Sequence, residues 1–241
     1  MRLAGSDPAA EFDAIAAQYD DVLNRGLSIT GETKEYFARG RVRWLEWRLA
    51  ALGQRPRRIL DFGCGTGTSV PLLRQAFDPE RIVGTDISRA SLHHARVRYA
   101  DDVATFTEVG ELPPTERFDL VFTNGVLHHI PPEQRPETWA AIARWLAPGG
   151  LLALWENNPL NPGTRWVMSR VPFDREAIPL LPGECRRSAR GVGLEVITID
   201  HLFFFPAALR WLRPLERYLR RIPLGGQYLL LCRNPRSGLC G

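Results

Sequence analysis

Short apolar runs alternate with amphipathic stretches along most of this chain. From Arg57 onward the runs "RRILDFG", "RIVGTDI", "ATFTEVG", "FDLVFTNG" and "GGLLALWE" are separated by stretches of helical period or by compact loops. Continuous β-branched and aliphatic runs spaced by helices predict a parallel sheet covered by helices on both faces. Two later runs, "LEVITIDHLFFF" and "QYLLLCRN", read as further strands that close the sheet edge as an antiparallel pair. The total is seven strands.

Two helices precede the first strand. In "SDPAAEFDAIAAQYDDVL", Asp7 can cap, Pro8 suits the first turn, and Phe12, Ile15, Ala16, Tyr19 and Val22 share a face. A second helix, "ETKEYFARGRVRWLEWRLAAL", carries Phe37, Trp44 and Leu45. Residues 1–56 therefore read as an N-terminal helical cap, and residues 57–241 as the core domain. Two segments interrupt the core. Residues at about 157–190 are rich in Pro and Asn, too irregular for a simple crossover helix, and suit a substrate-side loop. Residues 206–226 predict an amphipathic, Arg-rich helix. At 100° per residue, Trp211, Leu212, Leu215, Tyr218, Leu219 and Ile222 fall on one side. Arg210, Arg213, Arg217, Arg220 and Arg221 fall on the other, and Pro214 predicts a kink. Either this helix docks by its apolar side, or residues 206–222 meet an anionic membrane or a lipid-linked substrate.

Composition narrows the class. Apolar residues make up 44% and charged residues 24%, as in ordinary globular proteins. The first residues hold no run of signal-peptide length, and the longest uncharged apolar stretch, "LFFFPAAL", is far short of a bilayer span. A cytoplasmic protein is expected, with peripheral membrane contact through 206–222 as the one exception. Cys64, Cys185, Cys232 and Cys240 are scattered with no Cys-x-x-Cys pair, so no metal or redox motif is expected. The net charge is +4, yet most of the arginines are interleaved with acids, which disfavours a nucleic-acid face.

The chemistry concentrates in "RRILDFGCGTGTSV". Asp61 ends a strand, Gly63, Gly65 and Gly67 follow, and a helix that Thr68 can cap comes next. Glycines there admit positive φ and close ligand approach. Asp86 ends the second strand, where a carboxylate can accept hydrogen bonds from two ribose hydroxyls. A dinucleotide fingerprint wants its third glycine one position later, and an acid beside a pyrophosphate is unfavourable. An acid beside a cationic amino-acid group is favourable. The loop thus suits a nucleoside without a phosphate and with a positive end, and S-adenosylmethionine has both features.

On these residues the sequence resembles the class I S-adenosylmethionine-dependent methyltransferases, in their small-molecule branch. "ILDFGCGTG", Asp86 in "VGTDIS", "GELPPTERFDLVFTNGVLHHI" and "WLAPGGLLAL" match four family segments in order, and "FDAIAAQYD" is similar to the family's N-terminal helix. The resemblance implies a Rossmann-like, doubly wound α/β fold with an antiparallel last strand. It implies that Asp61 and the backbone of Gly63, Cys64, Gly65 and Gly67 hold the methionine part. By the same resemblance Asp86 holds the ribose, Ile87 packs on the adenine, Glu111 and Leu112 cover it, and Asn124 meets the methionine part. Tyr19 and Arg39 can close the cap over the cofactor, or else be a half-buried aromatic and a surface charge. Cys64 also reads as a small residue that fits the turn. The product would be S-adenosylhomocysteine, with no metal involved.

Methyl transfer needs orientation and, for some acceptors, removal of a proton. His128 and His129 follow the fourth strand and are candidate general bases, with His128 preferred. Glu156 follows the fifth strand and can bind an acceptor or act as base, and Asn157 and Asn158 can bind one or form turns. Family members acting on base amines or protein amides carry Asn-Pro-Pro-Tyr-like sequences where this chain has "TNGVLHH". The expected activity is methyl transfer to an oxygen or carbon of a small acceptor, lipophilic or lipid-linked. The alternatives are an RNA methyltransferase, suggested by the basic charge, a nucleotide-dependent oxidoreductase of the same fold, and a non-catalytic S-adenosylmethionine-binding protein at a membrane.

Overall fold

The computed structural model describes residues 13, 26–27, 30–171 and 177–235. The first expected helix lies outside them except for Asp13, and so does Tyr19. Helix α1 (Lys34–Ala51) starts at Thr33, whose hydroxyl accepts the Tyr36 amide. Its buried face is Ala38, Arg41, Val42, Leu45 and Leu49, the spacing of one helical stripe.

Seven strands form one sheet: β1 (Arg58–Phe62), β2 (Arg81–Asp86), β3 (Ala104–Glu108), β4 (Phe118–Asn124), β5 (Leu146–Asn157), β6 (Glu195–Leu202) and β7 (Gln227–Arg233). Their order is β3-β2-β1-β4-β5-β7-β6. The first five strands run parallel, and β7 lies antiparallel between β5 and β6. This is the doubly wound, mostly parallel sheet expected from the sequence. Helices α2 (Val70–Phe77), α3 (Arg89–Tyr99), α4 (Arg135–Trp145) and α6 (Pro182–Gly191) lie between strands in the chain. Adjacent strand residues enter different cores. Ile59, Ile82, Leu120 and Leu229 pack on one side of the sheet. Leu60, Val83, Val121 and Leu230 pack on the other. Both faces are covered, which is why the strands read as unbroken apolar runs rather than alternating ones. Strand order reverses between β1 and β4, so the crevice beyond their carboxyl ends is the natural ligand position.

Three local expectations change. Residues 157–190 are not simply loop, since they contain α5 (Pro162–Arg170) and α6. Residues 206–226 are not one amphipathic α-helix. They form a 3-10 stretch, Ala207–Leu215, broken by non-helical backbone at Leu209, followed by the one-turn helix α7 (Glu216–Leu219). Nor does Thr68 cap α2: Ser69 holds that position, and Thr68 Oγ1 instead accepts a hydrogen bond from Lys34 Nζ at 2.8 Å.

Candidate active site

The glycine loop is pinned from below and open above. The amides of Gly63 and Cys64 both donate to the Thr85 carbonyl, at 2.8 and 2.9 Å. Gly63, Gly65 and Gly67 have φ of 72°, 51° and 79°, values that disfavour any side chain. A Cβ on Gly63 would meet Val126 Cγ2 at 2.2 Å, and one on Gly67 would meet Tyr99 at 2.9 Å. A Cβ on Gly65 would meet nothing within 4 Å. Two of the glycines thus serve packing, and the middle one faces open space.

Two carboxylates flank this loop. Asp86 accepts the Gly65 amide at 2.8 Å and the Ser88 amide at 2.9 Å, tying the loop to the end of β2. Asp61 is buried, and its Oδ2 has no hydrogen-bond partner among the described residues. Burial, together with the charge of Asp86, pushes the Asp61 carboxyl up to about 7, against a smaller opposing effect of Arg41. Asp61 thus leaves one buried carboxyl oxygen to be satisfied. The Cys64 side chain turns into the core close to Gly84, and burial raises its thiol well above the usual range.

The remaining cofactor candidates spread along the same edge. Ile87, beside Asp86, is exposed. Glu111 accepts a hydrogen bond from Thr107 Oγ1 at 2.9 Å, while Leu112 is buried against Phe62 and Val83. Asp13, from the N-terminal segment, accepts hydrogen bonds from Ser88 Oγ at 2.6 Å and the Ala90 amide at 3.0 Å. Those bonds hold its carboxyl below the usual range. Arg39 is exposed and does not line the cavity described next. Arg41, two residues on, is buried and does line it.

A cavity of about 630 Å³ opens past Asn124 and Gly125 at the end of β4. One wall is polar: Arg41 donates to Gln227 Oε1 at 3.0 Å, and Gln227 donates to Asn157 Oδ1 at 3.2 Å. Another is aromatic, built from Tyr36, Phe37, Phe203, Phe204, Phe205 and Trp166. Phe203 packs edge-on to Phe37 with ring centroids 5.0 Å apart and adopts φ 63°. The amides of Phe203, Phe204 and Phe205 all donate to the buried carboxylate of Glu216, at 3.1, 3.0 and 3.2 Å.

His128 and His129 line the cavity between these walls, with ring centroids 4.2 Å apart. His128 Nδ1 lies 2.5 Å from Glu156 Oε2, and Glu156 Oε1 accepts the Leu127 amide at 2.9 Å. Burial and the neighbouring His128 hold His129 down to about 3, so it is neutral near pH 7. Glu156 is buried, contacts His128 and does not itself line the cavity. Asn157 lines the cavity. Asn158 is buried and structural, donating to the carbonyls of Pro223 and Gly225.

Sequence reasoning passed over Arg41, Gln227 and the Phe203–Phe205 wall. For Arg41 the signal was its place among Ala38, Val42 and Leu45 on α1, readable once that stripe is known to be the buried one. For the others none existed, since their role depends on which distant segments meet.

Known proteins resemble this chain in sequence over part of its length and in fold. A family model described as a methyltransferase domain matches residues 60–152. The trans-aconitate 2-methyltransferase of Acidovorax sp. (strain JS42) is 36% identical over 116 residues, covering 48% of this chain and 44% of that protein. The chain therefore spans less than half the length of that curated relative. Among solved structures, the complex of the Haloferax volcanii Trm112 methyltransferase activator with a putative methyltransferase aligns with TM-score 0.60 and 23% identity, covering 94% of this chain and 98% of that one. The plantazolicin methyltransferase BpumL in complex with SAH aligns with TM-score 0.62 and 15% identity, covering 93% and 98%. At these identities the structural likeness is one of fold. The matched segment, residues 60–152, holds the end of β1, the glycine loop, β2 to β4 and the first half of β5, and over that segment the chain is similar to a methyltransferase domain.

Proposed function

We propose that this protein transfers a methyl group from S-adenosylmethionine to an oxygen or carbon of a small, lipophilic acceptor. The observation that carries the reading is Asp61, a buried carboxylate with an unpartnered oxygen beside the glycine loop, on β1 next to β4, whose end at Asn124 lines the His128 cavity. The residues fit the cofactor: Asp61 suits the ammonium end, Gly65 leaves room for close approach, and Asp86 and Ile87 suit the ribose and adenine. Bound there, the cofactor supplies a methyl group already activated on a sulfonium.

The chain's own residues then orient the acceptor and move its proton. Glu156 holds the proton of His128 on Nδ1, which makes Nε2 the basic nitrogen. His128 takes a proton from the acceptor's hydroxyl or acidic carbon, and the Glu156 carboxylate stabilises the resulting imidazolium. The neutral His129 beside it adds no competing charge. The aromatic wall excludes water and suits an apolar acceptor body. Lys34 and Arg41 line the same cavity and disfavour a cationic amine as acceptor. Relatives named for trans-aconitate, a small molecule, support that size class. A lipophilic or lipid-linked acceptor would be met at a membrane surface, so this reading implies a cytoplasmic protein with peripheral membrane contact. No helix among the described residues is long and apolar enough to cross a membrane.

Calorimetric titration with S-adenosylhomocysteine and, separately, with NAD tests the cofactor. Binding of the first and not the second is expected, and the reverse would overturn the reading in favour of an oxidoreductase. Label transfer from methyl-labelled S-adenosylmethionine into the lipid-soluble fraction of a cell extract tests the acceptor class. Label confined to RNA would replace it with an RNA methyltransferase.

A further inference from the structure

We propose that residues 209–224 form a docking face for an anionic lipid surface, at the mouth of the acceptor cavity. An ordinary surface helix buries its apolar stripe and exposes its charges. This segment exposes most of its apolar stripe together with three of its arginines. It is fastened to the body by polar groups: Glu216 through three amides, Arg213 through Glu32 Oε1 at 2.6 Å and the Phe205 carbonyl at 3.3 Å, and Arg220 through its carbonyl, which accepts the His201 amide at 2.7 Å. The Arg213 guanidinium also stacks 4.4 Å from the Tyr36 ring centroid. Most of the apolar side chains are turned outward, with Leu212 and Leu219 half-buried. Trp211 is 72% exposed, Tyr218 65% and Leu224 54%, and Leu209, Leu215 and Ile222 are exposed as well.

Exposed aromatic and aliphatic side chains of this density mark an interaction surface. Their company selects the partner. Arg210, Arg217 and Arg221 are exposed among them, and the segment's one acid, Glu216, is withdrawn into the protein. Trp and Tyr at the headgroup level, aliphatic side chains below and arginines facing phosphates suit an anionic bilayer. The anchoring points place this face at the cavity: Glu216 and Arg213 hold Phe203–Phe205, Glu32 and Tyr36, all of which line it. Docking would thus bring the cavity mouth to the lipid. That purpose rests on the lipophilic-acceptor reading, whereas docking itself is measured independently of any methyl transfer.

The experiment is flotation of the full chain with phosphatidylcholine vesicles and with phosphatidylcholine–phosphatidylglycerol vesicles. Binding to the anionic vesicles is expected to exceed binding to the neutral ones by about tenfold or more at low salt and to fall as salt rises. The double variant Trp211→Ser/Tyr218→Ser and the triple variant Arg210→Glu/Arg217→Glu/Arg221→Glu should each lose most of that binding. Val97→Ser, which removes an exposed aliphatic side chain on α3, should not. All these positions are exposed, so thermal unfolding should match the parent. No binding to anionic vesicles, or binding that neither variant weakens, overturns the proposal. So does self-association in ultracentrifugation that Trp211→Ser/Tyr218→Ser abolishes, because the face would then belong to a second copy. S-adenosylhomocysteine titration of the same preparation keeps the two readings apart. Vesicle binding without cofactor binding would sink the methyltransferase function and leave the docking face standing.

Discussion

His128 Nδ1 and Glu156 Oε2 lie 2.5 Å apart, with both side chains removed from solvent and the second carboxylate oxygen held by the Leu127 amide. The pair joins the ends of two adjacent parallel strands. His128 sits in the 3-10 turn after β4, and Glu156 sits in β5, opposite Tyr228 of β7. Side-by-side parallel strands bring their carboxyl ends to one edge, so an imidazole and a carboxylate 28 residues apart in sequence meet there. The pair then needs no special loop.

Glu156→Gln separates the electrostatic role of this carboxylate from its structural one. The amide oxygen still accepts the Leu127 amide, so the fold should survive with a change of at most about 1 kcal/mol. The neutral side chain cannot stabilise a charged imidazole, and kcat should fall by about a hundredfold or more with little change in acceptor KM. Steady-state kinetics with thermal melts on the same samples checks this. Wild-type kcat in Glu156→Gln would remove the pair from the mechanism.

Asp61 should tie cofactor binding to pH. Its carboxyl is raised to about 7 by burial, whereas in the unfolded chain it would titrate near the usual carboxylate value of 3.8. A raised acid binds more protons folded than unfolded between those two values. It therefore lowers the stability of the cofactor-free protein as pH climbs through that window and has no further effect above it. A cationic ligand favours the ionised carboxylate. S-adenosylhomocysteine should bind about tenfold more tightly at pH 8 than at pH 6. Asp61→Asn should bind weakly at both, with that dependence gone. Calorimetry across this range decides it, and an unchanged slope in Asp61→Asn would locate the linkage elsewhere.

The fold was legible because its signals are local. Ile59 and Leu60, or Ile82 and Val83, are apolar neighbours because each member of a pair packs on a different side of the sheet. That same doubling marks a buried parallel strand. The glycine loop was legible because φ and Cβ clearance constrain residue type one position at a time. Glu216 shows where legibility stopped. In sequence it is a lone acid among arginines on a polar helical face, and nothing nearby says that three amides of residues 203–205 surround it. Helical periodicity grouped the apolar side chains of the same segment but left open whether they face inward or outward, and it missed the break at Leu209. The polar anchors Glu216 and Arg213 turn most of them outward. Arg39 and Arg41 differ in the same way: choosing between them requires knowing which stripe of α1 meets the sheet.

Gly63 and Gly65 should separate packing from ligand clearance. Alanine at 63 would place its Cβ 2.2 Å from Val126 Cγ2 at a φ of 72°. Overpacking and left-handed backbone together should cost about 2–4 kcal/mol and disturb the turn that carries His128. Alanine at 65 has a strained φ of 51° but clear space around it. It should cost about 1 kcal/mol of stability while weakening S-adenosylhomocysteine binding by about tenfold or more. Denaturant melts and calorimetry on the two variants give the comparison. Equal losses of binding and stability in both would mean that the open side of Gly65 is not where the ligand approaches.

Glu216 should control the acceptor wall without touching the acceptor. Phe204 and Phe205 donate to Oε1 and Phe203 donates to Oε2, so the two carboxylate oxygens divide the work. Glu216→Gln keeps one accepting oxygen and should retain part of the wall. Glu216→Ala leaves three amides without their acceptor and should cost about 2–4 kcal/mol, with faster amide exchange at Phe203, Phe204 and Phe205. Phe203 sits at a strained φ of 63°, so without the carboxylate the backbone there should relax toward ordinary values. The aromatic wall would shift with it, and acceptor KM should rise severalfold. S-adenosylhomocysteine affinity should hold, because Asp61 and the glycine loop lie on other strands. Exchange measured by mass spectrometry, alongside the two binding constants, checks each part. A loss of cofactor affinity equal to the loss of acceptor affinity would show that Glu216 supports the whole domain rather than this wall.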